Sequence, residues 1–415
     1  MEFNPLPSGV MHIDLNSCFA SVEQQANPRL RGKPVAVAAF TTPRGCILAA
    51  SVEAKRLGIK TGMRVGDARS LYPKLVVLSP DPWKYRNVHL KLRKLVSDYT
   101  ADFSPKSIDE FVLNMADYLP LKKTPLKSVA REIKQRIKSE IGNWLTVSIG
   151  MAPNRYLAKI AAGLRKPDGL DEINKDNFLD VYSGLKLTDL TGIKGRNAAR
   201  LNGMGIYSVL DFYEAPVWKL RAAFHSITGF YWNARLSGYE IDSTEFGRRS
   251  YGNSVALGRN LSRIEELSPI LARLTEKMCS RLRGAGYKAS GIHLMLIFKN
   301  GSWWHRGRRL PQPQFDSRDF YKPAFRLLIE AAPASPVLNI AVSCFGLTRA
   351  DSLQLEFFED MGKKQNLTRA VDGINERWGS FSVGSARSFG GAQTVIDRIA
   401  FGGIKELEEF SLNTG

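Results

Sequence analysis

The stretch that decides the fold of this chain is HIDLNSCFASVE, residues 12–23. The apolar run Val10–Leu15 predicts a buried strand, and the spacing after Ser17 predicts a helix. Asp14 stands near the end of that strand, where a carboxylate is costly to bury unless it is paired or binds a metal. The stretch therefore predicts a strand that carries an acid toward a functional site.

A second acidic position lies in the apolar run 107–115, which also predicts a strand and contains Asp109 and Glu110. Strand side chains alternate, so these two acids face different sides unless the strand ends or bulges between them. If the two strands are neighbours, Asp14, Asp109 and Glu110 converge and can hold two Mg²⁺ ions for phosphoryl transfer. The alternative is that they are ordinary surface acids at strand ends.

Outward from these strands, apolar runs and helical spacing alternate irregularly over the first 170 residues, which predicts an α/β or α+β fold. Residues 174–240 are mostly helical, and 241–249 are polar and typical of a linker. Residues 250–348 predict the order strand, helix, strand, strand, helix, strand of a ferredoxin-like sandwich. A short helix is predicted at 366–379 and a strand-like end at 395–402.

The composition of the 415 residues excludes several classes of protein. A hydrophobic fraction of 44% is enough for buried cores and excludes a wholly disordered chain. No stretch approaches the roughly 18 apolar residues of a membrane span, and the N-terminus lacks a signal-peptide pattern. The four cysteines form no Cys-x-x-Cys pair, which argues against a disulfide framework and a structural zinc. We expect a cytoplasmic protein that does not bind membranes.

The formal net charge of +19 predicts a polyanionic partner, usually a nucleic acid, although a basic surface can also serve only solubility. The excess is not uniform along the chain. Residues 251–350 carry 15 basic and 6 acidic residues, whereas residues 351–415 carry 7 basic and 10 acidic residues. The segment 251–350 is therefore a candidate polyanion-binding domain, and the tail is a separate compositional zone.

Five ordered motifs over residues 10–348 resemble the Y-family translesion DNA polymerases, and the bacterial DNA polymerase IV branch most closely. They are HIDLNSCFASVE, NPRLRGKPVAV, ASVEAKRLGIKTGM, SIDE and IGMAPNRYLAKIAAGLRKPDG. The resemblance implies an α+β right-hand polymerase with a C-terminal βαββαβ domain. Its parts would be a palm (1–17 and 84–173), fingers (18–83), a helical thumb (174–240), a linker (241–249), a little finger (250–348) and a C-terminal tail (349–415).

The same resemblance implies roles for residues of the nucleotide pocket. Asp14, Asp109 and Glu110 match the palm metal ligands, assisted by the backbone carbonyl of Leu15. Phe19 matches an aromatic steric gate, whose ring under the sugar leaves no room for a 2′-OH. Cys18, Lys55 and Lys166 match positions around the incoming deoxynucleoside triphosphate, which needs cations at its phosphates.

Several residues depart from the usual pattern of the polymerase IV branch. Lys55 stands where Arg is usual and offers a point charge instead of a fork of donors. Val52 replaces Tyr and Ala49 replaces Thr, so hydrogen bonds to the nucleotide are lost. Asn16 replaces a common Asp that is not a core metal ligand, and we give that change little weight. An Ala-Glu-Ala-Lys sequence also occurs in the UmuC-like branch, so either role stays open.

Two segments are candidates for holding primer–template DNA. Residues 190–201 resemble a helix-hairpin-helix, in which Gly192, Lys194 and Gly195 would bring backbone amides to phosphates. Its alternative is a glycine-rich turn that only packs. The βαββαβ segment places basic residues on or near strands, each of which could also be a solvated surface charge: Arg281, Arg283, Lys288, Lys299, Arg306, Arg308 and Arg309.

The tail contains Gln354-Leu355-Glu356-Phe357-Phe358, which resembles the short sliding-clamp motif of bacteria. Leu355, Phe357 and Phe358 would fill an apolar groove on the clamp and Gln354 would bond at its rim. The alternative is an amphipathic strand that packs on the body of the protein.

The sequence as a whole predicts a monomeric, template-directed DNA polymerase of low fidelity and low processivity that acts in DNA damage tolerance. Two other classes of protein are alternatives to a polymerase: a non-catalytic clamp- and DNA-binding subunit and a palm-type nucleotide cyclase. The three acids argue against the first. The helix-hairpin-helix, the basic segment and the clamp-like peptide argue against the second.

Overall fold

The computed structural model describes residues 1–116, 118, 124–243, 247–350, 361–379, 381–392 and 394–395. They divide into two compact units, one made of the described residues up to 243 and the other of those from 247 to 395. Among these residues, none of the helices combines the length and the apolar character needed to cross a lipid bilayer.

The first unit mixes strands and helices. Its strands are β1 Val10–Leu15, β2 Val35–Ala38, β3 Ile47–Ala50, β4 Val76–Leu78, β5 Phe103–Pro105, β6 Glu110–Asn114, β7 Val147–Ala152 and β8 Leu170–Glu172. Its helices are α1 Cys18–Ala26, α2 Val52–Arg56, α3 Val65–Leu71, α4 Pro82–Ser97, α5 Leu126–Arg136, α6 Arg155–Leu164, α7 Phe178–Ser183, α8 Gly195–Asn202, α9 Val209–Glu214, α10 Val217–Phe224 and α11 Thr228–Leu236.

A five-stranded sheet in the order β5-β6-β1-β7-β8 forms the centre of this unit. Strand β1 is antiparallel to both β6 and β7, and Asp14 lies opposite Glu110 and Ser148. Side-chain alternation along β1 places Met11, Ile13 and Leu15 in the core beneath α1, α4 and α5. The opposite face, which carries Asp14, is covered by α6.

The close approach of α6 to the sheet depends on Gly150 in β7. A Cβ atom at this position would lie 2.1 Å from the backbone oxygen of Ala158 and 2.1 Å from the backbone nitrogen of Ala162. Asn154 begins α6, because its side chain accepts a hydrogen bond from Leu157 N–H at 2.8 Å. The helix is therefore fixed directly over the face that carries Asp14.

Two further hydrophobic clusters lie in the first unit. The sheet β3-β2-β4 packs with α2 and α3 around buried residues such as Ala36, Ile47 and Ala54, and the second cluster joins α6 to the helices that follow it. Residues 174–240 are helical, as predicted, and bury Tyr182, Phe212 and Trp232.

The second unit confirms the predicted βαββαβ order. Its elements are β9 Ser250–Leu261, α12 Ile264–Gly284, β10 Tyr287–Phe298, β11 Trp303–Gln314, α13 Ser317–Ala331, β12 Val337–Arg349 and α14 Met361–Trp378. The four strands form an antiparallel sheet in the order β11-β10-β12-β9, which leaves β11 and β9 at the edges. Buried side chains of α12 and α13, including Leu271 and Phe320, pack on the sheet.

Some predicted boundaries are wrong. The strand predicted at 107–115 begins only at Glu110, so Asp109 precedes it. The helix predicted at 366–379 begins at Met361, and Asp372 anchors it through an ion pair with Arg283 at 2.6 Å. The sequence does not predict the three-residue strands β4, β5 and β8, because such short runs show no clear hydrophobic period. Of the strand-like end predicted at 395–402, the residues beyond 395 lie outside the described part of the chain.

Candidate active site

A cleft of about 640 Å³ lies between the five-stranded sheet and α1, α2 and β3. Its lining includes most of the sequence-predicted pocket residues: Asp14, Leu15, Cys18, Phe19, Ala49, Val52, Lys55, Asp109 and Lys166. The predicted triphosphate residues and two of the three predicted metal ligands therefore share one cavity.

The third predicted ligand, Glu110, joins Asp14 through strand pairing. Asp14 and Glu110 are directly opposite each other on β1 and β6, so their side chains leave the sheet on the same face. Ligand atoms of His12, Asp14 and Glu110 all lie within 4.8 Å of one another. This cluster of oxygen and nitrogen donors is a candidate site for a divalent cation.

Asp109 reaches the cleft because the strand begins one residue later. Its backbone carbonyl accepts a hydrogen bond from Leu15 N–H at 2.9 Å, and its carboxylate accepts one from Ser107 Oγ at 2.5 Å. The strand thus starts between Asp109 and Glu110, which is the condition under which the two neighbouring acids can serve one site.

Burial makes this concentration of acids unfavourable in the charged form. It raises the pKa of Asp14, with smaller contributions from Glu110 and Asp109, and the positive charge of Lys166 opposes the shift. Burial likewise raises the pKa of Asp109. Carboxylates of this kind are stabilised by bound cations, so the donor set fits a hard divalent metal ion.

In the structure, two lysine side chains supply that positive charge. Lys166 Nζ lies 2.5 Å from Asp14 Oδ2, and Lys159 Nζ lies 2.7 Å from Glu110 Oε2. Lys166 was predicted as a nucleotide contact, whereas Lys159 on α6 was not predicted at all. The signal for Lys159 was a lysine in the apolar stretch of the helix, among the buried residues Leu157, Ala158 and Ile160.

His12 is another residue to which the sequence assigned no role. Its side chain is 1% exposed, and neither ring nitrogen has a hydrogen-bond partner among the described residues. Nε2 lies 4.0 Å from Glu110 Oε2. Burial, with Lys159 and Lys166 nearby, lowers the pKa of His12 to about 3, so the ring is neutral beside the acids.

The predicted steric gate, Phe19, is held rigidly at the start of α1. Its ring stacks on Tyr85, with the centroids 4.3 Å apart, and Tyr85 Oη donates a hydrogen bond to Glu23 Oε1 at 2.9 Å. Cys18 beside it is buried, and burial raises the pKa of its thiol. An aromatic ring on the cleft wall that is held in place by a second ring can exclude a substituent of a bound ligand by size.

Lys55 lies on α2, on another wall of the cleft. Burial, followed by repulsion from Lys166, lowers the pKa of the Lys55 ammonium group. Lys55 and Lys166 both line the cleft, so both side chains can act on one anion bound there.

The candidate DNA-binding residues of the first unit are exposed. Gly192 has φ = +94°, a conformation that favours glycine, and Gly195 begins α8. Lys194 immediately precedes this helix. The turn therefore presents backbone amides and one lysine to solvent.

The predicted arginines of the second unit have different surroundings. Arg283 is largely committed, because its guanidinium bonds to Asp372 and to the carbonyl of Phe315. Arg281 bonds to the carbonyl of Gly252 at 3.2 Å and to Asn253 Oδ1.

Arg306 and Arg308 lie on the edge strand β11 and both pair with Glu330 of α13. Because strand residues alternate, they lie on the helix side of the sheet, and His305 and Arg309 project from the open side. Residues Gln354, Leu355, Phe357 and Phe358 of the clamp-like motif lie outside the described residues.

Family models match two parts of this chain. The impB/mucB/samB family model matches residues 13–163, and the model of the impB/mucB/samB family C-terminal domain matches residues 248–357. The first match contains the acids of the cleft, and the second contains the basic sheet.

Similar curated proteins cover nearly the whole chain. A DNA polymerase IV of Pelotomaculum thermopropionicum is 32% identical over 395 residues, which are 94% of this chain and 97% of the relative. A DNA polymerase IV of Moorella thermoacetica is 33% identical over 92% of this chain and 96% of the relative. DNA polymerase IV 1 of Bacillus subtilis is 30% identical over 89% and 91%.

Solved structures share the fold. A Dbh chimera described as a Y-family DNA polymerase gives a TM-score of 0.73 at 24% identity and covers 82% of this chain and 99% of its own. DinB from Sulfolobus solfataricus gives a TM-score of 0.54 at 24% identity, over 81% and 98%. The predicted α+β right-hand polymerase fold with a C-terminal domain is confirmed.

Proposed function

Because the chain belongs to the impB/mucB/samB family, we propose that it is a template-directed DNA polymerase of the translesion type, with low fidelity and low processivity. It adds deoxynucleotides to a primer 3′-OH and releases pyrophosphate. The observation that carries this proposal is the register of Asp14 with Glu110, beside Asp109, at a cleft that also contains Lys55 and Lys166. Acids for cations and lysines for a polyphosphate then share one cavity.

We assign the parts of a polymerase hand to the chain as follows: a palm at 1–17 and 84–173, fingers at 18–83, a thumb at 174–240, a linker at 241–249, a little finger at 250–348 and a tail at 349–415. The five-stranded sheet supports the palm, and the separate small core around β2 supports the fingers. The helical core around Tyr182 and Trp232 supports the thumb.

Asp14, Asp109, Glu110 and the backbone carbonyl of Leu15 are the groups that would hold two Mg²⁺ ions. Bound there, the ions would neutralise charge on the phosphates and on the attacking and leaving oxygens. The raised pKa values of Asp14 and Asp109 support this assignment, because bound cations would stabilise the charged forms of these acids. In the structure, Lys166 and Lys159 pair with Asp14 and Glu110 and supply part of that positive charge.

The remaining cleft residues position the nucleotide. Lys166 and Lys55 attract the triphosphate, and the first backbone amides of α1 at Cys18 add dipoles that favour an anion. Phe19, backed by Tyr85, lies beneath the sugar and excludes a 2′-OH. These contacts raise the rate chiefly by holding the α-phosphate in line with the primer hydroxyl.

Duplex DNA is held by weaker and more numerous contacts. Gly192, Lys194 and Gly195 bind a phosphate through amides and one cation, and Arg281, Arg306 and Arg308 add phosphate contacts from the second unit. Arg283 is better assigned to anchoring α14, because Asp372 and Phe315 occupy its donors.

Two further assignments, a partner and an oligomeric state, follow from the sequence alone. The peptide Gln354, Leu355, Phe357 and Phe358 binds a sliding clamp, and the chain acts as a monomer tethered in that way. Loss of clamp pull-down in a Phe357→Ala/Phe358→Ala variant, with primer extension retained, tests the first of these assignments.

Primer extension by the full chain tests the function. With Mg²⁺ and a primer–template, the protein should add nucleotides complementary to an undamaged template and should also pass at least one blocking lesion. Addition of excess EDTA should stop both reactions. Absence of Mg²⁺-dependent extension on every template would leave a non-catalytic DNA- and clamp-binding subunit as the better account.

A further inference from the structure

Asn16, the residue after the β1 strand, is a buried polar side chain with every hydrogen-bonding atom in use. It is 4% exposed. Its Nδ2 donates to Ser148 Oγ at 2.9 Å, and its Oδ1 accepts from Asp168 N–H at 2.8 Å and from Thr146 Oγ1 at 3.2 Å. The side chain thereby joins β7 to the loop that follows Lys166.

That loop has a constrained backbone. Asp168 has φ = +60°, a left-handed conformation that is unfavourable for a residue with a side chain. Its backbone oxygen accepts a hydrogen bond from Lys134 Nζ at 2.5 Å, and its carboxylate pairs with Lys134 and Lys138. Gly169 N–H donates to Ser148 Oγ at 3.2 Å. Strain held by several contacts marks a position where the conformation matters for function.

The bond from Asp168 to Asn16 lies two residues beyond Lys166. Lys166 Nζ lies 2.5 Å from Asp14 Oδ2, in the cleft. If the Asp168 N–H loses its acceptor, the left-handed turn loses the contact that points the start of the loop toward the cleft, and Lys166 samples other positions.

We propose that Asn16 is a positioning residue that fixes the Lys166 loop and thereby sets the affinity for the incoming triphosphate. The proposal rests on the proposed polymerase function. The sequence predicts no role for Asn16, because this position is not a core metal ligand, and the proposal assigns it one.

The amide also explains why Asn is compatible with this position. A carboxylate could accept from Asp168 N–H and Thr146 Oγ1, and Ser148 could turn to donate to it. A carboxylate at residue 16 would, however, place a further negative charge beside Asp14 and Asp109, where a triphosphate must approach. Asn16 gives the same connection without that charge.

Single-nucleotide insertion by the full chain, with kcat and KM for the deoxynucleotide measured separately, tests the proposal. Asn16→Ala removes the acceptor for Asp168 N–H together with the bonds to Thr146 and Ser148. It should raise KM roughly tenfold and change kcat by less than about threefold. Asn16→Asp should restore KM to within about threefold of the native chain, since it keeps the acceptor for Asp168. Ser148→Ala, which removes the bonds to Asn16 and Gly169 N–H, should raise KM as well and covers the case in which Asn16→Ala does not fold.

A double-mutant cycle separates positioning from general stability. In a Lys166→Ala background, Asn16→Ala should add no further rise in KM, because the side chain it positions is gone. Asn4→Ala is the matched control, since Asn4 is also buried, donates to the carbonyl of Gly238 at 3.0 Å and is not among the residues that line the cleft. It should lower the melting temperature without raising KM.

Three results overturn the inference: an unchanged KM in Asn16→Ala, the same rise in KM with and without Lys166, or a rise of the same size in Asn4→Ala. A native chain that inserts no nucleotide at all refutes the proposed function and this inference with it. Normal insertion by the native chain with any of the three results refutes this inference alone.

Discussion

Acidic side chains are mostly buried in the acid-lined cleft of the first unit, whereas arginine side chains are exposed on the basic sheet of the second unit. In the cleft, Asp14 and Asp109 are mostly buried, burial raises their pKa values, and lysine side chains contact Asp14 and Glu110. On the edge strand β11, Arg306 and Arg308 are exposed and share one partner, Glu330.

The difference follows from the dielectric around each group. A charge in a buried cleft interacts strongly with its neighbours, so its contribution depends on the position of single atoms. A charge on an exposed strand is screened by water and salt, so each one contributes little and several act together. We therefore expect single substitutions in the cleft to have large effects and single substitutions on the sheet to have small ones.

The largest expected effect is the loss of one cleft acid. Asp109→Ala should lower the rate of primer extension on the order of 10³-fold, as for loss of one group that stabilises transition-state charge. Its affinity for primer–template should change by less than about threefold, because the substitution leaves the basic surfaces intact. Rapid-quench extension and fluorescence anisotropy measure the two quantities.

Asp180→Ala is the control for this prediction, since Asp180 is an exposed acid on α7. It should leave both quantities near the native values. Undiminished extension by Asp109→Ala would remove Asp109 from the proposed site and with it the contrast between the two regions.

The second prediction concerns the size filter of the cleft. Phe19→Val should lower the preference for deoxynucleotides over ribonucleotides roughly 10²-fold, because discrimination by shape in a pocket has that magnitude. Tyr85→Phe keeps the stacked ring and loses only the hydrogen bonds of its hydroxyl, including the one to Glu23, so it should retain the preference. Ratios of kcat/KM for the two sugars provide the measurement, and an unchanged ratio in Phe19→Val contradicts the assignment.

Much of the cleft could be predicted because its residues lie in motifs that resemble those of a known family. The apolar runs 10–15 and 107–115 by themselves predict two strands that carry acids, but not that the two strands are neighbours. The sequence does not predict that the strand starts between Asp109 and Glu110, because this start depends on the hydrogen bond from Leu15 N–H to the carbonyl of Asp109.

Contacts between distant parts of the chain could not be predicted. Lys159 meets Glu110 only because Gly150 lets α6 approach the sheet, and Asn16 meets Asp168 only because the loop after Lys166 turns back. On the second unit, the βαββαβ order was predictable, whereas the pairing of Arg283 with Asp372 was not, since it joins residues 89 positions apart.

The third prediction removes an acidic residue that pairs with the basic sheet, in addition to the basic residues themselves. Glu330→Gln should free Arg306 and Arg308 and raise affinity for primer–template about two- to fivefold at low salt, since exposed ion pairs hold their partners weakly. Arg306→Ala/Arg308→Ala should weaken binding to a similar degree and reduce the slope of log affinity against log salt by about 2.

Glu265→Gln removes an exposed acid at the start of α12 in the same unit and controls for net charge alone. An equal gain in affinity from Glu265→Gln and Glu330→Gln would mean that the two arginines have no special place in DNA binding. An unchanged salt slope in the double arginine variant would contradict the phosphate contacts directly.

The smallest expected effect lies on the open side of the same sheet. His293 Nε2 lies 3.1 Å from His305 Nδ1, and the ring of His305 stacks on Trp303. Burial, followed by the charge of His305, lowers the pKa of His293, so this ring gains its proton at a lower pH than an unperturbed histidine does. Acidification therefore adds positive charge to this side of the sheet.

Affinity for primer–template should accordingly rise slightly more in the native chain than in His293→Gln as the pH falls from 7 to 5, by less than about threefold because the site is exposed. His225→Asn, which replaces a histidine with φ = +49° in the first unit by a residue that tolerates this conformation, should follow the native curve. Coincident curves for all three proteins would place the open side of the sheet away from the DNA and leave the arginine edge of β11 as the contact. A difference much larger than threefold would mean that a single exposed charge on the sheet acts as strongly as a buried one in the cleft, and the contrast between the two regions would fail.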